Sequence, residues 1–203
     1  MNGRIATLRF HSGQFFDILE HMALTQSFQK LNNGDKAPDF SLQGTDGKTY
    51  SLADFKDKES LLIVFMCNHC PYVKAKIGAI VQLHEKYKDK VAVVGINSND
   101  PGYEGEGMEN MKGFARERNI GFPYLFDDTQ KVARAYGATC TPDPFLFDKE
   151  QKLVFHGRID DALEPGQDVT ERTMDENIQK LLRGEEIGRA FKPSMGCSIK
   201  WIE

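Results

Sequence analysis

"LLIVFMCNHCPYV", residues 61–73, is the stretch that decides the fold. Its first six residues form a continuous apolar run of strand length, the pattern of a strand covered on both faces. Cys67 and Cys70 follow at once, flanking Asn68 and His69. Beyond them Val73, Ile77, Ile80, Val81, His84 and Tyr87 recur at helical spacing. Pro71 suits the first turn of that helix, where a missing N–H costs nothing. The two cysteines therefore lie where a buried strand hands over to a long helix.

Working outward, "VAVVGIN" at 91–97 reads as a second buried strand. It returns parallel to the first through the helix and makes a βαβ unit. Upstream, "DFSLQGTDGKTYSL" alternates around Asp46-Gly47 as a β-hairpin does, and "SLADF" reads as a short helical turn. Downstream come the polar loop "SNDPGYEGEG" and a helix from about Met108 to Arg118. "FPYLFD" reads as a short strand. "DDTQKVARAYG" reads as a helix with Asp127 or Asp128 as N-cap and Gly137 past its end. "PFLFD" and "KLVFHGRI" flank Lys149-Glu150-Gln151 as an antiparallel hairpin. A last helix is marked by Thr173 and Glu176 at capping-box spacing and by Met174, Ile178, Leu181 and Leu182. The order predicts an α/β class: a mixed central sheet flanked by helices, with an N-terminal β-hairpin extension.

At 203 residues the chain is expected to carry one main domain, at 33–190. Residues 1–32 read as an extended leader or an amphipathic docking helix, and 191–203 as a tail carrying Cys197 and Trp201. Asp17 interrupts the apolar cluster Phe15, Phe16, Ile18 and Leu19, which makes a poor secretion signal. A net charge of −4 gives no reason to expect nucleic acid or an anionic membrane as partner. A reducing, cytoplasmic compartment is the expectation, so a permanent disulfide framework is not. A CxxC in that setting reads as redox or metal chemistry.

A cysteine at a helix N-terminus meets free N–H groups and the positive end of the helix dipole, which favour thiolate over thiol. The sequence reading puts Cys67 there as nucleophile and Cys70 behind it as resolving thiol. Cys67 attacks a substrate disulfide, and Cys70 then attacks Cys67 and releases the reduced substrate; the reverse sequence oxidises a dithiol. His69, between the sulfurs, can donate to or attract the Cys67 thiolate and so make the couple more oxidising, or it can stand solvated with little influence. A metal-binding alternative uses Cys67, Cys70 and His69, with Cys140 as a further ligand, since thiolates suit Cu(I) or Zn(II). No second ligand pair accompanies them, so no metal is expected.

The run "KAPDFSLQGTDGKTYSLADFKDKESLLIVF", the CxxC at a helix start and the later "VARAYGATCTPDPFLFD" resemble the thioredoxin-like redoxin family. That family includes peroxiredoxins and TlpA/ResA-type thiol–disulfide oxidoreductases. The resemblance covers roughly Asp35 to Asp160 and implies a thioredoxin-like fold. It implies a cis-proline facing the dithiol, at Pro142, with the Thr141 peptide left open for an extended substrate strand. Pro144, two residues on, reads as a strand-start proline. Three departures stand out. The strand before the CxxC carries no buried acid to serve as base. Met66 stands where a tryptophan commonly precedes the CxxC, at a position expected to touch substrate. The peroxiredoxin Pro-x-x-x-Thr-x-x-Cys loop fits neither register: counted back from Cys67 it gives Val64 and Ser60, and from Cys70 it gives Cys67 and Ile63. A thiol-dependent peroxidase is accordingly the weaker alternative.

Cys140, just before Thr141, reads as a small buried residue or as an accessory thiol near the dithiol. Cys197 reads the same way, packed beside Trp201 or resolving from a mobile arm. His84 is expected to be a packed helix residue. The "DPGYEGEG" loop reads equally as a gate or as a solvated acidic loop. With no GxGxxG fingerprint, no nicotinamide or flavin cofactor is expected. Electrons are expected to arrive from a thiol reductant. The expected partners are disulfide- or dithiol-containing proteins or small thiols.

Overall fold

The computed structural model describes residues 24–203 apart from 189. In chain order the elements are β1 (Leu24–Gln26), β2 (Ser41–Gly44), β3 (Thr49–Ser51), a 3₁₀ turn (Leu52–Phe55), β4 (Ser60–Phe65), α1 (Pro71–Tyr87) and β5 (Val91–Asn97). Then come α2 (Met108–Glu117), β6 (Tyr124–Phe126), α3 (Lys131–Tyr136), β7 (Cys140–Thr141), β8 (Asp143–Phe147) and β9 (Leu153–Gly157). The chain ends with α4 (Thr173–Leu182), β10 (Phe191–Lys192) and β11 (Met195–Ser198). None of the described helices is long and apolar enough to cross a membrane.

β4 lies in the middle of an eight-stranded sheet of order β10-β9-β8-β4-β5-β6-β2-β3. It pairs parallel with β5 and antiparallel with β8, so the sheet is mixed as expected. The alternating side chains of β4 explain its unbroken apolar run. Leu62, Val64 and Met66 enter one core with Val73, Ile77 and Ile80 of α1 and Met174 and Ile178 of α4. Leu61, Ile63 and Phe65 enter the other, with Tyr136 of α3, Phe145 and Phe147. Each such side chain contributes roughly 1.5–3 kcal/mol on burial, and a strand wet on either face would forfeit half of that gain.

Two helix starts differ from the sequence reading. α3 begins at Lys131 after Gln130 in the left-handed region. Asp127 is not its N-cap, although its Oδ2 accepts the Ala133 N–H at 2.9 Å from within the helix. α4 begins at Thr173 itself, so Arg172 is the N-cap and the Thr173–Glu176 box does not form. Pro144 stands inside β8, opposite Val64, rather than at its start.

Described parts of both flanking segments join the sheets. The expected leader at 1–32 falls outside the described residues up to 23, but Leu24–Gln26 is a strand that pairs with β11. The tail after 190 is not an appendage. β10 runs parallel to β9, and β11 is sandwiched between β1 and β7 in a three-stranded sheet. Cys197 sits opposite Thr141, and Ser198 opposite Cys140. Beyond β11, Ile199 N–H donates to Thr139 O at 3.0 Å and Lys200 N–H to Asn99 Oδ1 at 2.9 Å. Trp201 packs in the second core under the Arg134 guanidinium, 4.3 Å from its ring centre. Cys197 belongs to the first core, so the two do not share a site.

Gly196 permits the close approach of β11 to β7: a Cβ there would lie 2.0 Å from the Thr141 carbonyl oxygen. Backbone cannot move aside as a side-chain tip can. Gly196→Ala is therefore expected to cost about 1–3 kcal/mol, read as a lower urea midpoint at unchanged m-value. An unchanged midpoint would show that β11 is not seated on β7.

Candidate functional site

The CxxC forms the connection between β4 and α1, and its two cysteines meet different surroundings. α1 starts at Pro71, so Cys70 is the N-cap. This corrects the sequence reading, in which Cys67 faced the helix amides. The free amide end of α1 lies beside Cys70, although the Cys70 side chain makes no cap hydrogen bond. Both cysteines are fully buried.

Cys67 Sγ lies 3.1 Å from Thr141 Oγ1. Cys70 Sγ, as a thiol, donates to the Thr141 carbonyl at 3.3 Å and lies 2.7 Å from Cys197 Sγ. The Thr141–Pro142 bond is cis, as the resemblance implied, and Thr141 meets Cys67 through its hydroxyl and Cys70 through its carbonyl. Burial pushes the Cys67 thiol well above its usual range, and the Cys70 and Glu106 charges push it the same way. Burial also raises Cys70, but its neighbours, Cys197 first and then Cys67, outweigh it and hold Cys70 well below the usual thiol range. Of the two sulfurs, Cys70 is the one held low. Cys197, its donor, is pushed up, first by that hydrogen bond and then by burial.

Glu106 is the functional residue that sequence reasoning missed. It belongs to the "DPGYEGEG" loop, and its carboxylate is buried against the CxxC. It accepts the Asn68 N–H at 3.1 Å, the His69 N–H at 3.2 Å, Asn68 Nδ2 at 3.2 Å and Asn97 Nδ2 at 2.6 Å. It also binds His69 Nδ1. A carboxylate so satisfied tolerates burial, because each hydrogen bond to the charged form offsets lost hydration. Tyr124 completes the cradle, donating to Asn68 Oδ1 at 2.9 Å. The solvated-loop reading fails for this residue, and the only signal was an acid set between Gly105 and Gly107, both at positive φ.

The remaining expected residues fall as follows. His69 does not bridge the sulfurs: one ring nitrogen is engaged by Glu106, and Nε2 has no partner among the described residues. The ring lies 4.9 Å from that of Tyr103. Met66 is fully buried, against Gly95. Thr141 is also buried, because β11 occupies the edge expected to stay open. Cys140 is buried, with no hydrogen bond to the other sulfurs, and burial raises its thiol. His84 packs edge-on against Phe122 as a helix residue. Cys67, His69 and Glu106 bring ligand atoms within 4.8 Å of one another and could hold a metal ion. The carboxylate oxygens are, however, already committed to the loop.

A strand ending in a CxxC, a helix capped by its second cysteine and a cis-proline against the pair define a thioredoxin-like dithiol protein. Residues 33–156 match the AhpC/TSA family, and the chain belongs to that family. It is 32% identical over 111 residues to chloroplastic peroxiredoxin Q of Populus jackii, covering 54% of this chain and 49% of the relative. The chain thus spans about half the length of that relative. It is 26% identical over 127 residues to the thiol-disulfide oxidoreductase ResA of Bacillus thuringiensis, covering 62% of this chain and 69% of ResA. The crystal structure of a conserved protein from Geobacillus kaustophilus superposes with a TM-score of 0.84 at 41% identity, over 89% of this chain and 97% of that one.

Replacing Glu106 separates its charge from its shape. Glu106→Gln removes one of the negative charges that raise Cys67, so the Cys67 thiol should ionise at lower pH. Its alkylation near neutrality should then be faster than in the wild type. The loss of charged hydrogen bonds should also cost about 1–3 kcal/mol. A Cys67 alkylation profile identical to the wild type's would remove Glu106 from the electrostatics of the site.

Proposed function

We propose that the protein is a thiol–disulfide oxidoreductase working through Cys67 and Cys70 on disulfides of proteins or small thiols. The observation that carries this reading is the capping of α1 by Cys70 beside the cis Thr141–Pro142 peptide. A helix amide end and two thiol donors stabilise the Cys70 thiolate. That stabilises the reduced state and makes the couple more oxidising than one with an ordinary thiol.

Cys67 is the attacking sulfur. Its proton passes to the first leaving sulfur as Cys67 attacks the substrate disulfide, while Cys70, held low, stays ionised. Cys70 thiolate then attacks Cys67 Sγ and expels the second substrate sulfur as thiolate. One disulfide has been reduced, one formed, and the proton and the charge are both conserved. This dispenses with the buried strand acid that β4 lacks. Pro142, Tyr72 and Met195 line a small cleft, and Lys76, Ile159 and Asp160 line both it and a larger groove along α1. We assign substrate approach to that side.

The peroxidase reading has one point in its favour, the similarity to peroxiredoxin Q. Against it, Val64 takes the place of the peroxide-positioning threonine inside buried β4, where no loop exists to hold peroxide. An insulin-reduction assay with dithiothreitol separates the two. Turnover above background that Cys67→Ser abolishes is expected; peroxide consumption without insulin turnover would favour the peroxidase.

The ionisation order gives a pH test. A lowered group keeps its charge down to its own folded value, so Cys70 thiolate persists below the ordinary thiol value of about 8.5. Above that value its contribution to the stability of the reduced fold is complete; as pH falls below it the contribution shrinks, and it is lost at the folded value. Thiolate ultraviolet absorbance of the reduced protein is expected to survive at about pH 6 and to vanish in Cys70→Ser. A single rise centred on the free-thiol value would reject this order.

A further inference from the structure

β11 lies where the resemblance left room for a substrate strand. It pairs antiparallel with β7, sets Cys197 opposite Thr141, and reaches that position because Gly196 lets the two backbones close. The cysteine it carries faces the dithiol: Cys197 Sγ is 2.7 Å from Cys70 Sγ. The sulfurs of a disulfide lie about 2.05 Å apart, so a small side-chain rotation suffices to join these two. The segment is not the mobile arm considered from the sequence. β1 covers its other edge, and Asp100 N–H donates to Lys200 O at 2.8 Å. Ile202 N–H donates to Gln130 Oε1 at 2.9 Å. The thiol is held in place rather than swung in.

We infer that Cys197 is a third redox-active thiol, presented to the dithiol by the chain's own β11 in the manner of a bound substrate strand. The inference rests on the oxidoreductase reading for its starting state, the Cys67–Cys70 disulfide. Cys197 Sγ attacks Cys70 Sγ in that bond. The Cys70–Cys197 bond forms, the Cys67–Cys70 bond breaks, and the proton leaving Cys197 ends on Cys67. No oxidant or reductant is consumed, since one disulfide is exchanged for another. Cys67 returns as a thiol while the oxidising equivalents rest on Cys70 and Cys197. Cys70 is shared by both bonds, which fits its central position between Cys67 and Cys197.

Disulfide mapping decides this. The folded full chain is oxidised with oxidised glutathione, quenched in acid, alkylated and mapped by tandem mass spectrometry. In the wild type we expect both Cys67–Cys70 and Cys70–Cys197 linkages. In Cys67→Ser, which retains three of the four cysteines, we expect the free-thiol count to fall from three to one with Cys70 joined to Cys197. The wild-type map keeps the test valid should the variant fold poorly. A wild type linked only through Cys67–Cys70, with Cys197 alkylated throughout, overturns the inference. So does a Cys67→Ser map that joins Cys197 to Cys140. Failure of the oxidoreductase reading looks different: no insulin turnover by the wild type, whatever the linkage at Cys197.

Discussion

The Cys70 sulfur is the point at which the architecture converges. β4 leads to it, α1 starts beside it, the Thr141 carbonyl lies against it, and β11 brings a second thiol to it. A sulfur in apolar surroundings resists ionisation, and Cys140 and Cys67 show that resistance here. At Cys70 its neighbours reverse it, Cys197 first. The helix start at residue 71 adds to this, and Pro71 supplies that start because proline is tolerated at the first helical position and lacks the N–H that would need a partner. One turn earlier, and the amides would face Cys67 and exchange the roles of the two sulfurs.

Glu106 holds the loop that makes this possible. The residues between strand and helix carry backbone N–H groups with no strand partner, and buried N–H groups must be satisfied. Asn68 and His69 donate theirs to one carboxylate. The price is a negative charge beside Cys67, which opposes a second thiolate and keeps the pair at one shared charge. A neutral amide at this position would hold fewer of the donors and would relax that opposition. The loop's rigidity and the pair's ionisation thus rest on the same group.

Much of the fold was legible because its signals are local or periodic. The double-sided burial of β4 and β5, the hairpin of β8 and β9, and the span of α1 all follow from apolar runs, turn residues and 3.6-residue spacing. The site was legible as two cysteines and a cis-proline. Its ionisation was not, since a shift of three residues in the helix start moves the dipole from one sulfur to the other, and sequence patterns fix such boundaries poorly. Contacts distant in sequence were also hidden. Nothing in "DPGYEGEG" says that Glu106 turns inward, and nothing in "GCSIKW" says that this segment pairs with residues near 140. Helix caps read as Asp127 and Thr173 failed for a related reason: their side chains were claimed by other partners, Ser98 and Ala133 for Asp127 and Glu171 and Arg158 for Thr173.

Under the oxidoreductase reading, the occupied edge at Thr141 changes what the site asks of a substrate. A strand seeking the backbone beside the cis-proline must displace β11 or approach from the cleft at Tyr72, Pro142 and Met195. Displacement has to break the pairing on both edges of β11, with β1 and with β7, along with the tail's bonds to Asn99 and Gln130. Each net hydrogen bond is worth about 0.5–1.5 kcal/mol, so several together disfavour that route strongly. Approach through the cleft leaves β11 seated, and with it the proximity of Cys197 to Cys70. The edge that the resemblance left open for another chain is here filled by the chain's own β11.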